Sequence, residues 1–112
     1  MKMARPVATI PLIRRMVRRI VDQFDPEQVI LFGSYARGKA GPDSDVDLLV
    51  VMDVKGSKRE KTLEIRKALG EFHVAEDVRI SRPAEFAWRK LYPGTIERPA
   101  YLEGKVLYAR RR

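Results

Sequence analysis

The stretch "LFGSYARGKAGPDSDVDLLVV", residues 31–51, sets two carboxylates, Asp45 and Asp47, at the head of a run of β-forming apolar residues. A Gly-Ser pair and a loop rich in glycine and charge stand just ahead of them. Strand side chains alternate faces with a period of two, so Asp45 and Asp47 on one strand point the same way and Val46 points into the opposite layer. Two carboxylates on one face repel each other and raise one another's pKa where they are partly buried. A divalent cation removes that conflict. Mg²⁺ suits it, because it takes hard oxygen ligands, commonly one or two carboxylates plus substrate phosphates. The plain alternative is a pair of turn or capping acids with no metal.

The Gly-Ser pair supplies the other half. "VILFG" reads as a short buried strand ending at Gly33, and "SYARG" as a helical turn whose leading N–H groups suit a phosphate, with glycine permitting close approach. Ser34 adds a hydroxyl. Arg37 falls on the same side of that turn and can reach a phosphate oxygen. Lys39 is a weaker candidate, and both also read as solvent-facing. Ser44 either hydrogen-bonds a ligand or caps the loop, in which Gly38, Gly41 and Pro42 are suitable turn residues. Amides holding a triphosphate on one side, and acids holding a metal on the other, make a nucleotidyl-transfer site. A second metal, ~3.5–4 Å away, would activate the attacking hydroxyl and needs a third carboxylate from a neighbouring strand. Asp77 in "VAEDVRIS" is the candidate; Glu76 is adjacent, and strand alternation lets only one of the two face the site. An ordinary surface acid is the other reading of Asp77.

Around this segment the pattern is helix, strand, strand, helix, strand, helix. An amphipathic helix is expected over about residues 11–24, with Ile13, Met16, Val17, Ile20, Val21 and Phe24 on one face and Arg14, Arg15, Arg18 and Arg19 on the other. The strand "DVDLLVVM" should run about eight residues. A second helix follows Ser57 as N-cap and stops at Gly70, burying Ile65, Ala68, Leu69 and Phe72. Residues 74–81 alternate as a third strand, Pro83 opens a short helix that Pro93-Gly94 ends, and the tail reads as a helix, a turn at Gly104 and a strand over 106–108. The single histidine, His73, belongs at the end of the second helix. Trp88 and Tyr92 are read as core or interface packing, and Tyr35 as packing or ligand contact. The fold class is α+β (mixed α/β): a small mixed sheet of about 3–4 strands flanked by helices, in a single domain over 1–112 with a core at about 29–108.

"GSYARGKAGPDSDVD" resembles the signature of the polymerase-β-type nucleotidyltransferase superfamily: Gly-Ser, ten residues, then Asp-x-Asp. The chain looks most like the minimal nucleotidyltransferases, small prokaryotic MNT proteins often encoded beside a HEPN-domain partner, with the similarity running from about Val29 to Tyr108. "EDVRISRPAEF" is similar to the family's third-acid strand and Pro-Glu helix start, which makes Asp77 the third carboxylate, although Arg79 interrupts a strand that is usually more apolar. The resemblance implies a nucleotidyltransferase fold, Mg²⁺ (two ions) and ATP as donor. Asp45, Asp47 and Asp77 become the catalytic and metal-binding residues, and Gly33, Ser34, Arg37 and Ser44 the nucleotide-binding ones. It also implies an antitoxin that transfers AMP to a hydroxyl of a HEPN toxin. Two alternatives stay open: a non-catalytic module that neutralises its partner by occlusion, and an RNA-directed nucleotidyltransferase subunit.

Charge bears on the partner. With 23 basic and 15 acidic residues the net charge is +8, which attracts nucleotide phosphates, nucleic acid or an acidic protein, or simply solvates the surface. Absence of cysteine excludes disulfides and thiolate metal sites and fits a cytoplasmic setting. No run approaches the roughly 18 apolar residues of a membrane span, and the basic N-terminus has apolar runs too short for a signal peptide. A homo- or hetero-oligomer is left open.

Overall fold

Thr9 opens the first helix, α1 (Ile10–Phe24): its hydroxyl accepts the Leu12 N–H at 3.2 Å, and Pro11 sits in the first turn, where no N–H is needed. The computed structural model describes residues 8–111; the first seven residues of the basic N-terminus and Arg112 lie outside them. Ile13, Met16, Val17 and Ile20 form the buried stripe of α1, and Asp25 ends it in the left-handed conformation. Then come β1 (Gln28–Phe32), a one-turn helix α2 (Gly33–Ala36), β2 (Val46–Val51), α3 (Lys58–Leu69), β3 (Glu76–Ser81), α4 (Pro83–Arg89), α5 (Glu97–Glu103) and β4 (Lys105–Ala109).

The four strands lie in the order β3-β2-β1-β4, with β1 antiparallel to both β2 and β4, and β2 parallel to β3. A parallel pair needs a long crossover, and α3 provides it. One face of the sheet carries Val29, Leu31, Leu48, Val50 and Val78 against α1 and α3. The other carries Ile30, Phe32, Leu49 and Val51 against Phe86 of α4 and Ala100 of α5. Each such fully buried side chain contributes roughly 1.5–3 kcal/mol. The second apolar cluster is the smaller, and the acids occupy the end of that face which it leaves uncovered. Among the described residues no helix is long and apolar enough to cross a membrane.

This mixed sheet flanked by helices is the expected fold class, with four differences in detail. β2 begins at Val46 and has six residues, because the loop ahead of it is still closing: Ser44 N–H donates to Gly41 O at 3.1 Å. Asp45 therefore precedes the strand. Gly70 does not stop the second helix; the chain continues as a 3-10 turn over Gly70–Phe72, and His73, at φ 54°, turns it away. Trp88 and Tyr92 are not core. They meet edge to face at 5.8 Å, each more than half exposed. β3 begins at Glu76, two residues later than expected. Pro99 is accommodated in the first turn of α5.

Candidate active site

Asp47 lies level with Phe32 of β1 on one side and Asp77 of β3 on the other. The two acids thus occupy one row of the sheet and one face, the face that α4 and α5 cover elsewhere. Glu76 points the other way, where its carboxylate accepts from Arg66 Nε of α3 at 3.0 Å. Immediately after Phe32 the chain bends at Gly33 with φ 72°. That bend presses on the acid: a Cβ on Gly33 would fall far inside van der Waals contact of Asp47 Oδ2 and would also crowd Cγ and Cβ. A left-handed backbone and a side chain in the way both call for glycine here.

The electrostatics follow from that crowding. Burial pushes the Asp47 carboxyl above its ordinary value, Asp77 and then Asp45 push it further, and Arg79 and Arg37 pull it part of the way back. Arg79, two residues after Asp77 and so on the same face, donates from Nε to Asp77 Oδ1 at 3.3 Å. Asp45 is exposed on the loop beside them. Among the described residues no three Asp, Glu or His side chains gather closely enough to cage an ion by themselves. Mg²⁺ needs no such cage, since phosphate oxygens and water complete its shell. The donor set fits it on chemistry: hard carboxylate oxygens, one of them destabilised by burial beside like charges.

The nucleotide candidates divide. Gly33 and Ser34 lead α2, and the N–H groups of a helix's first turn have no partner within the helix. Arg37 is exposed and donates from Nη1 to Glu103 Oε2 of α5 at 3.4 Å. Ser44 takes the role of loop cap: its hydroxyl accepts the Gly41 N–H at 2.9 Å. Lys39 is exposed, and Tyr35 is half-buried against the larger core cluster.

Sequence reasoning passed over a buried network next to the site. Glu97 of α5 is 3% exposed; it accepts from Ser81 Oγ at 2.9 Å and from Arg89 Nε at 3.0 Å. This ties the end of β3 to α4 and α5. No local pattern announces it, because its three members come from three elements. Arg79, expected only as an interruption of the strand, proves to be the partner of Asp77; the period of two that puts them side by side is the signal that could have found it.

Comparison with known proteins bears on the fold and the family. The family model of the nucleotidyltransferase domain matches residues 13–101. A Methanocaldococcus jannaschii protein named as a candidate protein adenylyltransferase is 40% identical over 55 residues, a match taking in 49% of this chain and 54% of that one. The chain thus spans about half the length of the curated relative it matches. Among solved structures, a toxin–antitoxin complex with AMP-PNP is similar at a TM-score of 0.63 and 19% identity, over 88% of this chain and 74% of that one. A mutant MntA-HpeT toxin–antitoxin is similar at 0.63 and 17%, over 87% and 73%. A candidate nucleotidyltransferase of Sulfolobus solfataricus gives 0.55 and 22%, over 89% and 79%. At these identities the structural likenesses speak for the fold, and the family model speaks for descent: this chain belongs to the nucleotidyltransferase domain family.

Proposed function

We propose that this protein is a Mg²⁺-dependent nucleotidyltransferase that moves AMP from ATP to a hydroxyl of a partner protein, and that the partner is a HEPN-domain toxin which it neutralises in the cytoplasm as an antitoxin. One observation carries the reading: Asp47 packs against the Gly33 bend, with Asp77 level with it on the adjoining strand. The adenylyltransferase name of the archaeal relative and the toxin–antitoxin names of the structural neighbours support the donor and the kind of partner.

In the reaction the acceptor oxygen bonds the α-phosphorus of ATP, the bond from that phosphorus to pyrophosphate breaks, and the hydroxyl proton passes to a base. Ser34 and the main chain at Gly33 hold the triphosphate. Asp77, half-exposed on an outer strand, takes the hydrogen of the acceptor hydroxyl in this reading. Asp45 and Asp47 would hold Mg²⁺, which when bound neutralises phosphate charge. The crowding that raises the Asp47 pKa is relieved when cation and nucleotide arrive, so folding energy is invested in binding.

Labelled ATP, Mg²⁺ and the product of the adjacent gene test this directly. Label should appear on the partner and vanish with a chelator, with Asp45→Asn and with Asp47→Asn. Full transfer by either variant, or no transfer under any divalent metal, overturns the reading. The occlusion reading draws on the loose spacing of the three acids; neutralisation that survives Asp47→Ala would establish it.

A further inference from the structure

β3 is an outer strand of the sheet, and its free edge opens into a groove of about 580 Å³ that reaches Asp77. The ladder to β2 is anchored by Val46 N–H to Ala75 O and Met52 N–H to Ser81 O. In a parallel ladder alternate residues bond inward, so Ala75, Asp77, Arg79 and Ser81 serve β2. Val78 and Ile80 then direct their N–H and C=O groups outward, into the groove. α3 forms one wall and α4 with α5 the other. The walls are basic: Lys58, Arg59, Arg66, Arg79 and Arg89 against Asp77, Glu85 and Glu97. Four of those cations already have carboxylate partners, while Arg59 is exposed on the rim and forms no ion pair among the described residues.

We infer that this groove receives the acceptor as an extended, acidic polypeptide segment that adds a strand to the edge of β3. The inference rests on the nucleotidyl-transfer reading and names the substrate class for it. An added strand lies about 4.8 Å outside β3, and its side chains alternate faces. One on the acid face therefore stands beside Asp77, and a residue two positions away on that face stands beside Arg79. A hydroxyl residue at the first position and a carboxylate at the second match both. Carboxylates on the opposite face meet Arg59 and Arg66 of α3. Free main-chain donors and acceptors recognise a polypeptide backbone, whereas among the described residues no aromatic ring lines the groove on which a nucleobase could stack. Once seated, the segment's hydroxyl oxygen bonds the α-phosphorus of ATP, its proton goes to Asp77, and pyrophosphate leaves.

The probe is a short fluorescein-labelled peptide with glutamates alternating on either side of one tyrosine. Its binding is followed by anisotropy without ATP or metal. Controls are the same peptide with lysine for glutamate, the same peptide N-methylated at alternate backbone nitrogens, and oligouridylate RNA. The acidic peptide should bind at least tenfold more tightly than every control, and Arg59→Glu, a change on an exposed helix surface, should weaken it about tenfold, or ~1.4 kcal/mol. Equal binding of the N-methylated peptide, tighter binding of RNA, or no effect of Arg59→Glu overturns the inference. AMP transfer is then measured with ATP and Mg²⁺. Label entering the lysine peptide as readily as the acidic one removes the groove inference and keeps the nucleotidyl-transfer reading. Tight, N-methyl-sensitive binding of the acidic peptide without transfer to any hydroxyl, the adjacent gene's product included, removes the latter and keeps the groove.

Discussion

Gly33 and Asp47 are fitted to one another: the backbone turns at φ 72° where the carboxylate occupies the place of a side chain. Alanine at Gly33 meets both obstacles. The left-handed backbone costs a non-glycine residue about 1–2 kcal/mol, and the methyl group drives the Asp47 carboxylate off its position. Since the atom displaced is the end of a side chain, the larger effect falls on activity. Gly33→Ala should stay folded, lose roughly 1–2 kcal/mol in denaturant unfolding, and lose at least tenfold in AMP transfer, about 1.4 kcal/mol of barrier. Wild-type transfer would mean that Asp47 can be moved without harm.

Asp47 carries the opposite tension, since stability favours losing its charge and chemistry requires keeping it. Its folded-state pKa lies above the ordinary 3.8, so the stability linked to its proton is fully present below about pH 3.8 and is lost as pH rises through the folded value. At neutral pH the ionised carboxylate is a standing penalty. Asp47→Asn should melt roughly 2–5 °C above wild type at pH 7, with the gap closing as pH falls below the usual carboxylate range, while transfer is abolished. A variant that melts lower at pH 7 would contradict the burial and like charge that raise the Asp47 pKa.

The acids were readable because a period of two and a fixed separation from Gly-Ser are local facts of the chain. The same alternation separated Asp77 from Glu76, which turns to Arg66. Strand limits were less legible: Asp45 falls outside β2 because Ser44 and Gly41 are still closing the loop, a competition between side chain and ladder that no pattern displays. Gly70 illustrates the same limit. Its freedom goes unused at φ −58°, and His73 supplies the left-handed residue instead. Arg37 and Glu103 are 66 positions apart, and the Ser81, Glu97 and Arg89 network spans three elements, so neither could be read before the fold was known.

That network holds α5 against the sheet beside the site. Glu97 is buried, and its two partners satisfy both oxygens. Removing a buried ion-pair member costs about 3–5 kcal/mol, reduced here because Arg89 can reach solvent. Glu97→Ala should therefore lose about 2–3 kcal/mol in urea unfolding, against about 1 kcal/mol for Ser81→Ala, which removes one hydrogen bond. If Glu97→Ala unfolds at the wild-type midpoint, the network is ornamental.

Arg37 is close enough to lower the Asp47 pKa yet is held at 3.4 Å by Glu103, with both side chains about half exposed. If Arg37 leaves Glu103 to grip the triphosphate, the ion pair competes with the nucleotide. An exposed pair contributes about 0.2–1 kcal/mol, so Glu103→Gln should lower the KM for ATP about two- to fivefold at unchanged kcat. Arg37→Ala should raise that KM about tenfold, a loss of ~1.4 kcal/mol. The double variant separates competition from a structural effect. With Arg37 gone, Glu103 has nothing to compete for, and Glu103→Gln should then change KM by nothing, a full coupling between the two sites. Additive effects in the double variant would show that Glu103 repels the nucleotide on its own account and does not compete for Arg37.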